Sequence, residues 1–294
     1  RGGELQADAH DIVGLWSRAT LVIGMDERLK ANLDAWNLMA GIHVASREYR
    51  LAEFKAGENV LKPIELREVG DVRGKSMLHL QCHFGLDTMS WARLGANVTG
   101  LDFSDQAIAL ARSISAELKI PARFVHSNIY DAPSALDEKF DIVFTSYGAL
   151  CWLPDLTRWA EIAAHFVKPG GFFYIAEFHP LTQMSANRAG TTKLEFEISY
   201  FHNTMREDPP GPDYSDPSKT VSATHEWMYR LGDVVSVLAA TGLRIEYVHE
   251  FAGCIYPHFP FMKRGSDGLW HIEGDPIPTI FSIKATKPAN PGTV

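Results

Sequence analysis

The sequence predicts an α/β fold in which a doubly wound, mostly parallel sheet is flanked by helices. Two observations support this prediction. From Lys75 to Ala176, short apolar runs alternate with amphipathic helical segments in five successive units, a pattern typical of βαβ connections. The composition, with 46% hydrophobic and 22% charged residues in 294 positions, provides a core large enough for a sheet covered on both faces.

The N-terminal region has the apolar spacing of helices. Leu33, Trp36 and Ala40 recur at helical intervals, and Tyr49 and Phe54 continue the pattern until Gly57 and Pro63 interrupt it. We predict two or three helices that form a cover over residues 1–74.

The five β units follow in order. Their strands are predicted at Met77–Cys82, Asn97–Leu101, Ala122–His126, Phe140–Thr145 and Phe172–Ala176. Three helices connect them: one from Leu86 to Leu94, one that Ser104 caps, and one from about Asp155. Five such units in line make a Rossmann-like sheet the natural architecture.

The βα alternation stops after the fifth strand. Two stretches of alternating residues, Glu195–His202 and Ser222–Arg230, flank a loop rich in Pro and Gly. They predict an inserted β cap at about 181–230. A helix near Leu231–Thr241 and strands near 243–250 and 279–285 then complete a domain predicted to span 75–294.

Composition excludes several classes of function. The net charge of -8 and the scattered basic residues argue against a nucleic-acid partner. Three distant cysteines and the histidine spacing predict no disulfide framework and no metal site. With no apolar run of about 20 residues and no leader-like N-terminus, we expect a soluble cytoplasmic protein without a membrane partner. Its oligomeric state stays open.

The loop after the first strand, Leu78–Gly85, contains one glycine. It therefore lacks the G-x-G-x-x-G signature of dinucleotide-binding proteins. Asp102 ends the second strand, where its oxygens would accept hydrogen bonds from ribose hydroxyls and Phe103 would flank a purine. Alternatively, Asp102 only begins the turn before Ser104.

The chain from Lys75 to Pro180 resembles the class I S-adenosylmethionine-dependent methyltransferases. The resemblance rests on GANVTGLDFSDQAIALAR (Gly95–Arg112), FDIVFTSYGALCWLPDL (Phe140–Leu156) and VKPGGFFYIAE (Val167–Glu177). The family's D/E-x-G-x-G-x-G motif aligns with His79–Gly85, where only Gly85 remains. The whole chain also resembles a bacterial branch of small-molecule methyltransferases.

This resemblance implies S-adenosylmethionine as the cofactor and a set of residues that bind it. Tyr49 and Phe54 would lie in a lid over the cofactor, and Asn128 would contact the adenine unless it is a plain loop residue. The complete predicted set is Tyr49, Phe54, Gln81, Cys82, His83, Gly85, Asp102, Phe103, Asn128, Ile129, Ser146 and Tyr147.

In-line methyl transfer to an O, N or C nucleophile needs alignment above all, and a general base only for a protonated acceptor. The aromatic faces of Tyr147 and Trp152 would stabilise a sulfonium. His179 is a candidate base or else a turn residue before Pro180.

In the cap, the aromatic residues Tyr200, Trp227 and Tyr229, with Asn203, would line the acceptor pocket or else pack as core. Two alternative functions remain open beside methyl transfer to a small molecule. One is a cyclase or lyase that consumes the cofactor and releases methylthioadenosine. The other is non-catalytic cofactor binding.

Overall fold

The computed structural model describes residues 18–188, 190–201 and 205–289, with side chains from Glu27 onward. Its α-helices are α1 Arg18–His43, α2 Leu51–Lys55, α3 Pro63–Val69, α4 Leu86–Arg93, α5 Asp105–Leu118, α6 Ala132–Ala135, α7 Leu156–Phe166, α8 Pro180–Gln183 and α9 Leu231–Ala240. The prediction of helices in the N-terminal region agrees with α1 to α3.

The strands are β1 Ser76–Leu80, β2 Asn97–Asp102, β3 Ala122–His126, β4 Phe140–Ser146, β5 Val167–Phe178, β6 Met205–Asp208, β7 Gly211–Pro212, β8 Thr220–Val221, β9 Thr224–Trp227, β10 Arg244–Phe251, β11 Lys263–Arg264, β12 Trp270–His271 and β13 Ile280–Thr286. Seven of them form one sheet in the order β10-β13-β5-β4-β1-β2-β3. The pairs from β3 to β5 are parallel, while β13 is antiparallel to both β5 and β10. The predicted Rossmann-like α/β fold is confirmed.

The first four predicted strands agree with the structure to within two residues at each end. The fifth begins earlier than predicted, at Val167, which already pairs with Phe140. The glycine turn before Phe172 therefore lies inside the strand as an irregularity of its register rather than ahead of it.

Helices α5 and α7 form where capping residues precede amphipathic sequence. Ser104 Oγ accepts from Ala107 N at 3.0 Å, and Asp155 Oδ1 accepts from Arg158 N at 2.9 Å. Each cap satisfies a backbone donor that the first helical turn leaves without a partner. The apolar faces that follow are buried, so both helices hold the βα loops in fixed positions.

The sheet has a core on each face. Alternate residues of β4 and β5, such as Val143 and Phe173, pack with Trp159 of α7 on one face. Their neighbours, such as Phe144 and Tyr174, pack with Trp91 of α4 on the other. This alternation is the one expected of strands buried on both sides.

A buried asparagine is one of the residues that join the N-terminal cover to the cap. Asn32 of α1 is fully buried; its Nδ2 donates to His225 O at 2.8 Å, and its Oδ1 accepts from His225 N at 2.8 Å. The side chain thereby pairs with β9 as another strand would. This pair is one of the contacts that fix helix α1 to the cap.

The predicted cap strands were partly wrong. Residues 195–201 form no strand: Phe196 makes a single bridge to Ser185, and Phe196 and Phe201 are 55% and 77% exposed. His202 lies outside the described residues. The alternation of aromatic residues in this stretch looked like a strand, but no partner strand accompanies it.

The first strand of the cap is instead β6, which pairs antiparallel with β9. Strand β9 is the central part of the predicted Ser222–Arg230 segment. Strand β6 is polar, and its Arg206 forms ion pairs with Asp208 and Glu226. A pattern search for apolar alternation does not find such a strand, because cross-strand charge pairing stabilises it.

Candidate active site

The carboxyl ends of β1, β2, β3 and β4 lie along one edge of the sheet. Strand β1 pairs with β2 on one side and with β4 on the other, so the strand order reverses between β1 and β4. In doubly wound sheets this reversal opens a crevice at the carboxyl edge, where ligands bind. The loops that follow these four strands therefore define the candidate site.

The loop after β1 has an uncommon backbone conformation. Gln81, His83 and Gly85 have φ angles of 58°, 52° and 77°, in the left-handed region that residues with a side chain rarely adopt. These are the positions at which the resembled family has its three glycines. A Cβ at Gly85 would lie 2.5 Å from the Phe124 ring. The chain thus keeps the path of a glycine-rich loop although two of the glycines are replaced.

Asp102 connects the end of β2 to this loop. Its Oδ2 accepts from His83 N at 2.8 Å, and its Oδ1 accepts from Ser104 N at 2.9 Å. Burial raises the pKa of Asp102 to about 6. The turn-forming role considered above is therefore present. A carboxylate has about four acceptor positions, so the predicted contact with a ribose is compatible with it and stays a prediction.

Gln81 links the β1 loop to the loop after β4. Its Nε2 donates to Ala149 O at 2.8 Å, which fixes the orientation of the amide. Its Oε1 is buried and has no hydrogen-bond partner among the described residues. Since buried acceptors are nearly always paired, this atom is a candidate hydrogen-bond acceptor for an N–H group of a bound ligand. The neighbouring Cys82 is buried, and its Sγ lies 3.6 Å from His83 O.

The residues predicted at the adenine edge follow β2 and β3. Asn128 Oδ1 accepts from Tyr130 N at 3.0 Å and caps a short 3-10 turn, while Ile129 is 5% exposed and belongs to the core. Phe103 is partly exposed, and its carbonyl lies 3.0 Å from His126 Nε2. The loop role of Asn128 is present, and its contact with a ligand stays a prediction.

A pair of carboxyl groups that sequence reasoning missed lies at the end of β4. Tyr147 Oη donates to Glu65 Oε2 at 2.7 Å, and Ser146 Oγ donates to Asp87 Oδ2 at 3.2 Å. Burial, assisted by the charge of Asp87, raises the pKa of Glu65 to about 7, and burial also raises the pKa of Asp87. Tyr147 has a φ of 32°. The predicted Tyr147 is thus held on a carboxyl that takes up a proton near neutral pH.

Glu177, the residue before the last in β5, holds the loop after β4 against the sheet. Its carboxylate accepts from the backbone N–H groups of Gly148, Ala149 and Leu150, and from that of Phe178. Sequence reasoning placed Glu177 at the end of a family motif without assigning it a task. An acidic residue that closes an otherwise apolar strand was the available signal.

A chain of three polar side chains covers the β1 loop. His43 Nε2 lies 3.0 Å from Asp213 Oδ2, and His43 Nδ1 lies 3.0 Å from His83 Nε2. The side chains of His43 and Asp213 are fully buried. Because 170 residues separate His43 from Asp213, no motif pointed to this group. Trp36 stands edge-on to His83 with centroids 5.2 Å apart.

The two predicted lid residues occupy different environments. The Tyr49 ring stacks on His43 with centroids 4.6 Å apart, and its hydroxyl shares a hydrogen bond with that of Tyr214. Phe54 is fully buried, and the Arg93 guanidinium lies 3.9 Å from its ring centroid. The structure therefore places Tyr49 beside the β1 loop and Phe54 in the core behind it.

The cap aromatics contact the protein itself. Tyr200 Oη accepts from Leu231 N at 3.3 Å, and Tyr229 Oη donates to Leu153 O. Trp227 lies on β9 opposite Met205 and is partly exposed. Asn203 lies outside the described residues. The packing role considered for Tyr200 and Tyr229 is present, and a role at the acceptor pocket stays a prediction for all three aromatics.

His179 uses both ring nitrogens inside the protein. Nδ1 accepts from Leu181 N at 3.2 Å, and Nε2 lies 3.0 Å from Glu250 Oε1. Burial lowers the pKa of His179, and Glu250 opposes that effect. The side chain caps α8, as a turn residue would, and its role as a base stays a prediction.

Three further features concern the described part of the chain. Within it, no three His, Cys, Asp or Glu residues are grouped to hold a metal ion. Its helices include none with the length and apolar content needed to cross a membrane. Cys82, Cys151 and Cys254 are buried free thiols.

The chain is similar to known methyltransferases. Residues 78–175 match a family model described as a methyltransferase domain. Ubiquinone biosynthesis O-methyltransferases are 31% identical over 153 residues in Proteus mirabilis and 32% identical over 131 residues in Shewanella pealeana. These alignments cover 50% and 42% of this chain, and 62% and 53% of those proteins. The chain thus spans less than two thirds of the length of these relatives.

Solved structures have the same fold. A putative S-adenosylmethionine dependent methyltransferase from Listeria monocytogenes superposes with a TM-score of 0.55 and 20% identity, covering 76% of this chain and 97% of its own. A Mesorhizobium loti S-adenosylmethionine dependent methyltransferase gives 0.54 and 22%, covering 79% and 99%. At such identities the likeness shows the fold.

The relatives described above are methyltransferases, and they lend no support to cofactor cyclisation or to a non-catalytic role. The matched segment runs from β1 to β5 and includes the left-handed loop, Asp102 and the loop after β4. The segment 78–175 is thus similar to a methyltransferase domain, and the chain around it has the fold of S-adenosylmethionine-dependent methyltransferases.

Proposed function

We propose that this protein transfers the methyl group of S-adenosylmethionine to a small-molecule acceptor. The observation that supports it most is the β1 loop, whose backbone is left-handed at 81, 83 and 85. That shape is the one a glycine-rich loop adopts, and here Asp102 fixes it through His83 N. A loop with two bulky residues in this conformation is strained, which is expected where ligand binding requires the shape.

The residues at this edge fit the cofactor. The buried Gln81 Oε1 has no donor among the described residues, and the α-ammonium group of S-adenosylmethionine is such a donor. Asp102 offers remaining lone pairs to ribose hydroxyls, and the partly exposed Phe103 offers an apolar face to a base. The cofactor supplies an electrophilic methyl group on a sulfonium. The protein has to align the acceptor with it and exclude water.

The N-terminal cover (residues up to 74) and the cap (181–230) are proposed to enclose the acceptor over the core domain 75–294. The Asn32–His225 pair supports this, since it joins the two covering segments. The similarity to O-methyltransferases supports a small molecule as acceptor, and the net charge of -8 argues against nucleic acid. Three buried free thiols support a reducing, cytoplasmic compartment.

The decisive test combines binding and product analysis. Calorimetry should show S-adenosylhomocysteine binding in the micromolar range or tighter and no binding of NAD. Incubation of the protein with S-adenosylmethionine and a panel of phenols, amines and carboxylic acids should release S-adenosylhomocysteine. Release of methylthioadenosine instead, or binding of NAD alone, contradicts the proposal.

A further inference from the structure

In the hydrogen-bonded chain Asp213–His43–His83, the donor and the acceptor of each hydrogen bond can be assigned. Asp213 Oδ1 accepts from Ser215 N at 2.8 Å, from Ser215 Oγ at 2.7 Å and from Asp216 N at 3.0 Å. Burial alone would raise the pKa of Asp213, but the hydrogen bonds from Ser215 and the nearby His43 outweigh it and hold the pKa below its usual value. Asp213 is therefore an ionised acceptor inside the protein.

The tautomers follow from the ionised carboxylate. Asp213 Oδ2 can only accept, so His43 Nε2 carries a proton. Burial lowers the pKa of His43, against the opposing effect of Asp213, so the ring is neutral and its Nδ1 is an acceptor. His83 Nε2, 3.0 Å away, must then donate to it. His83 Nδ1 is left as a lone pair, and it has no hydrogen-bond partner among the described residues.

We propose that Asp213, His43 and His83 form a proton-accepting chain for an acceptor that carries a phenolic hydroxyl, with His83 Nδ1 as the atom that receives the proton. This inference rests on the proposed methyl transfer. The phenolic oxygen forms a bond to the methyl carbon while the bond from carbon to sulfur breaks, and the sulfur keeps that electron pair. The phenolic proton passes to His83 Nδ1. His83 Nε2 then passes its own proton to His43 Nδ1, and the resulting imidazolium is stabilised beside Asp213.

Acidity favours a phenol over an aliphatic alcohol. In water, a phenol with a pKa of about 10 loses its proton to a free imidazole with a pKa of about 6.5 at an equilibrium disadvantage of roughly 10³–10⁴. For a hydroxyl as weakly acidic as water the disadvantage is roughly 10⁹. Burial lowers the pKa of both His83 and His43, and the neighbouring His43 lowers that of His83 further, which enlarges both disadvantages and leaves the preference for a phenol unchanged. Asp213 beside the final imidazolium opposes the effect of burial on His43.

The surroundings of the chain also fit a flat aromatic acceptor. Trp36 stands edge-on to both His83 and Trp152, with ring centroids 5.2 Å apart in each pair. The ring centroids of Tyr49 and His83 are 5.4 Å apart. His83 itself is partly exposed. The other titratable groups near the chain are the paired phenols of Tyr49 and Tyr214, Asp102 at His83 N, and Asp87. His83 acts on the acceptor, and His43 and Asp213 position it.

NMR spectroscopy can determine which imidazole nitrogens of His43 and His83 carry a proton. Long-range ¹H–¹⁵N spectra of the imidazole rings in the protein with S-adenosylhomocysteine should show protons on His43 Nε2 and His83 Nε2, and none on His83 Nδ1. Asp213→Asn should lower the pKa at which the pair takes up a proton. A proton on His83 Nδ1, or an unchanged titration in Asp213→Asn, overturns the inference. This reading does not depend on any acceptor.

Turnover with two probe acceptors tests the chemistry. Catechol and the more acidic 4-nitrocatechol share the reacting group and differ in how much they need a base. For catechol, His83→Gln should lower kcat by at least about 100-fold and Asp213→Asn by at least about tenfold. With 4-nitrocatechol, the decrease in kcat that each substitution causes should be smaller by about tenfold or more. His165→Gln, an exposed histidine on α7, should change neither.

The outcomes separate this inference from the proposed function. Equal defects on the two catechols overturn the proton-accepting role. If S-adenosylhomocysteine binds and a primary amine or a thiol is methylated while both catechols are not, the phenolic acceptor is wrong and methyl transfer stands. If S-adenosylhomocysteine does not bind to the wild-type protein, the proposed function itself fails.

Discussion

Asp102 Oδ2 accepts the backbone N–H of His83 at 2.8 Å, so the carboxylate at the end of β2 sets the path of the loop after β1. The same carboxylate is the predicted ribose acceptor. One side chain therefore shapes the loop, and the same side chain is predicted to bind the cofactor.

We expect Asp102→Ala to lower affinity for S-adenosylhomocysteine at least about tenfold, or 1.4 kcal/mol. It should also lower the free energy of unfolding by about 1–3 kcal/mol, because the N–H groups of His83 and Ser104 lose their acceptor. Calorimetry and urea denaturation measure the two effects. An unchanged dissociation constant in a folded variant would leave Asp102 with its turn-forming role alone.

The left-handed backbone at Gln81 predicts that glycine is more stabilising than alanine at this position, the reverse of their order in a helix. Gln81→Gly and Gln81→Ala both lose the bond to Ala149 O, but only alanine keeps a Cβ at a φ of 58°. The glycine variant should be more stable than the alanine variant by about 1 kcal/mol in urea denaturation. At the exposed helical position Ala109, the change to glycine should instead cost about 1 kcal/mol. Equal stability of the two Gln81 variants would contradict the loop conformation.

Glu65 predicts a dependence of stability on pH. Its pKa is raised from 4.5 to about 7 in the folded protein, so the folded state binds its proton more tightly than the unfolded state. Its contribution to stability therefore falls as pH rises from 4.5 to 7 and stays constant above. Relative to wild type, Glu65→Gln should gain stability over this range, by up to about 3 kcal/mol.

Urea denaturation of the Glu65→Gln variant at pH 5 and pH 8 measures this gain. Glu161→Gln, at an exposed position on α7, serves as the control and should show the same difference from wild type at both values. The prediction is contradicted if the stability of Glu65→Gln relative to wild type falls, rather than rises, between pH 5 and pH 8.

Trp227→Ala should lower kcat by at least about tenfold while affinity for S-adenosylhomocysteine changes less than threefold, because the cap is proposed to hold the acceptor. Phe201→Ala is the matched control, since Phe201 is 77% exposed in the same cap. Steady-state kinetics with catechol and calorimetry provide the measurements. Parallel loss of cofactor binding and activity, or unfolding, would assign Trp227 to the core.

Asn32→Ala should lower the free energy of unfolding by about 2–4 kcal/mol, because it removes both hydrogen bonds to the His225 backbone and leaves that backbone unpaired. Hydrogen exchange should accelerate in α1 and β9 together. Gln106→Ala, an exposed change on α5, should affect neither. Faster exchange in one of the two elements alone would show that the cover and the cap move independently.

The sheet was predictable because its information is local. Apolar runs, the Ser104 and Asp155 caps and the glycines between units lie within a few residues of the elements that they define, so the first four strands were predicted to within two residues of their observed bounds. The same holds for Asp102, whose position follows from the end of one strand.

The cap and the polar chain over the site depend on distant partners. Strand β6 is specified by ion pairs with β9, and His43 is specified by Asp213, which is 170 residues away. Neither pairing leaves a periodic pattern in the sequence. Conversely, Phe196 and Phe201 mimic a strand pattern in a segment without a strand partner, which produced the wrong prediction there.

The Asn32–His225 pair also bears on biosynthesis. Its two residues are 193 positions apart, so at 5–20 residues per second the ribosome needs roughly 10–40 s to deliver the second after the first. The first helix must wait for that time without its final neighbour, exposing to chaperones and proteases the face that later lies against β9. Strands β1 to β5 end at Phe178 and are therefore all synthesised before β9, so the carboxyl edge of the sheet can form before the cover and the cap are joined.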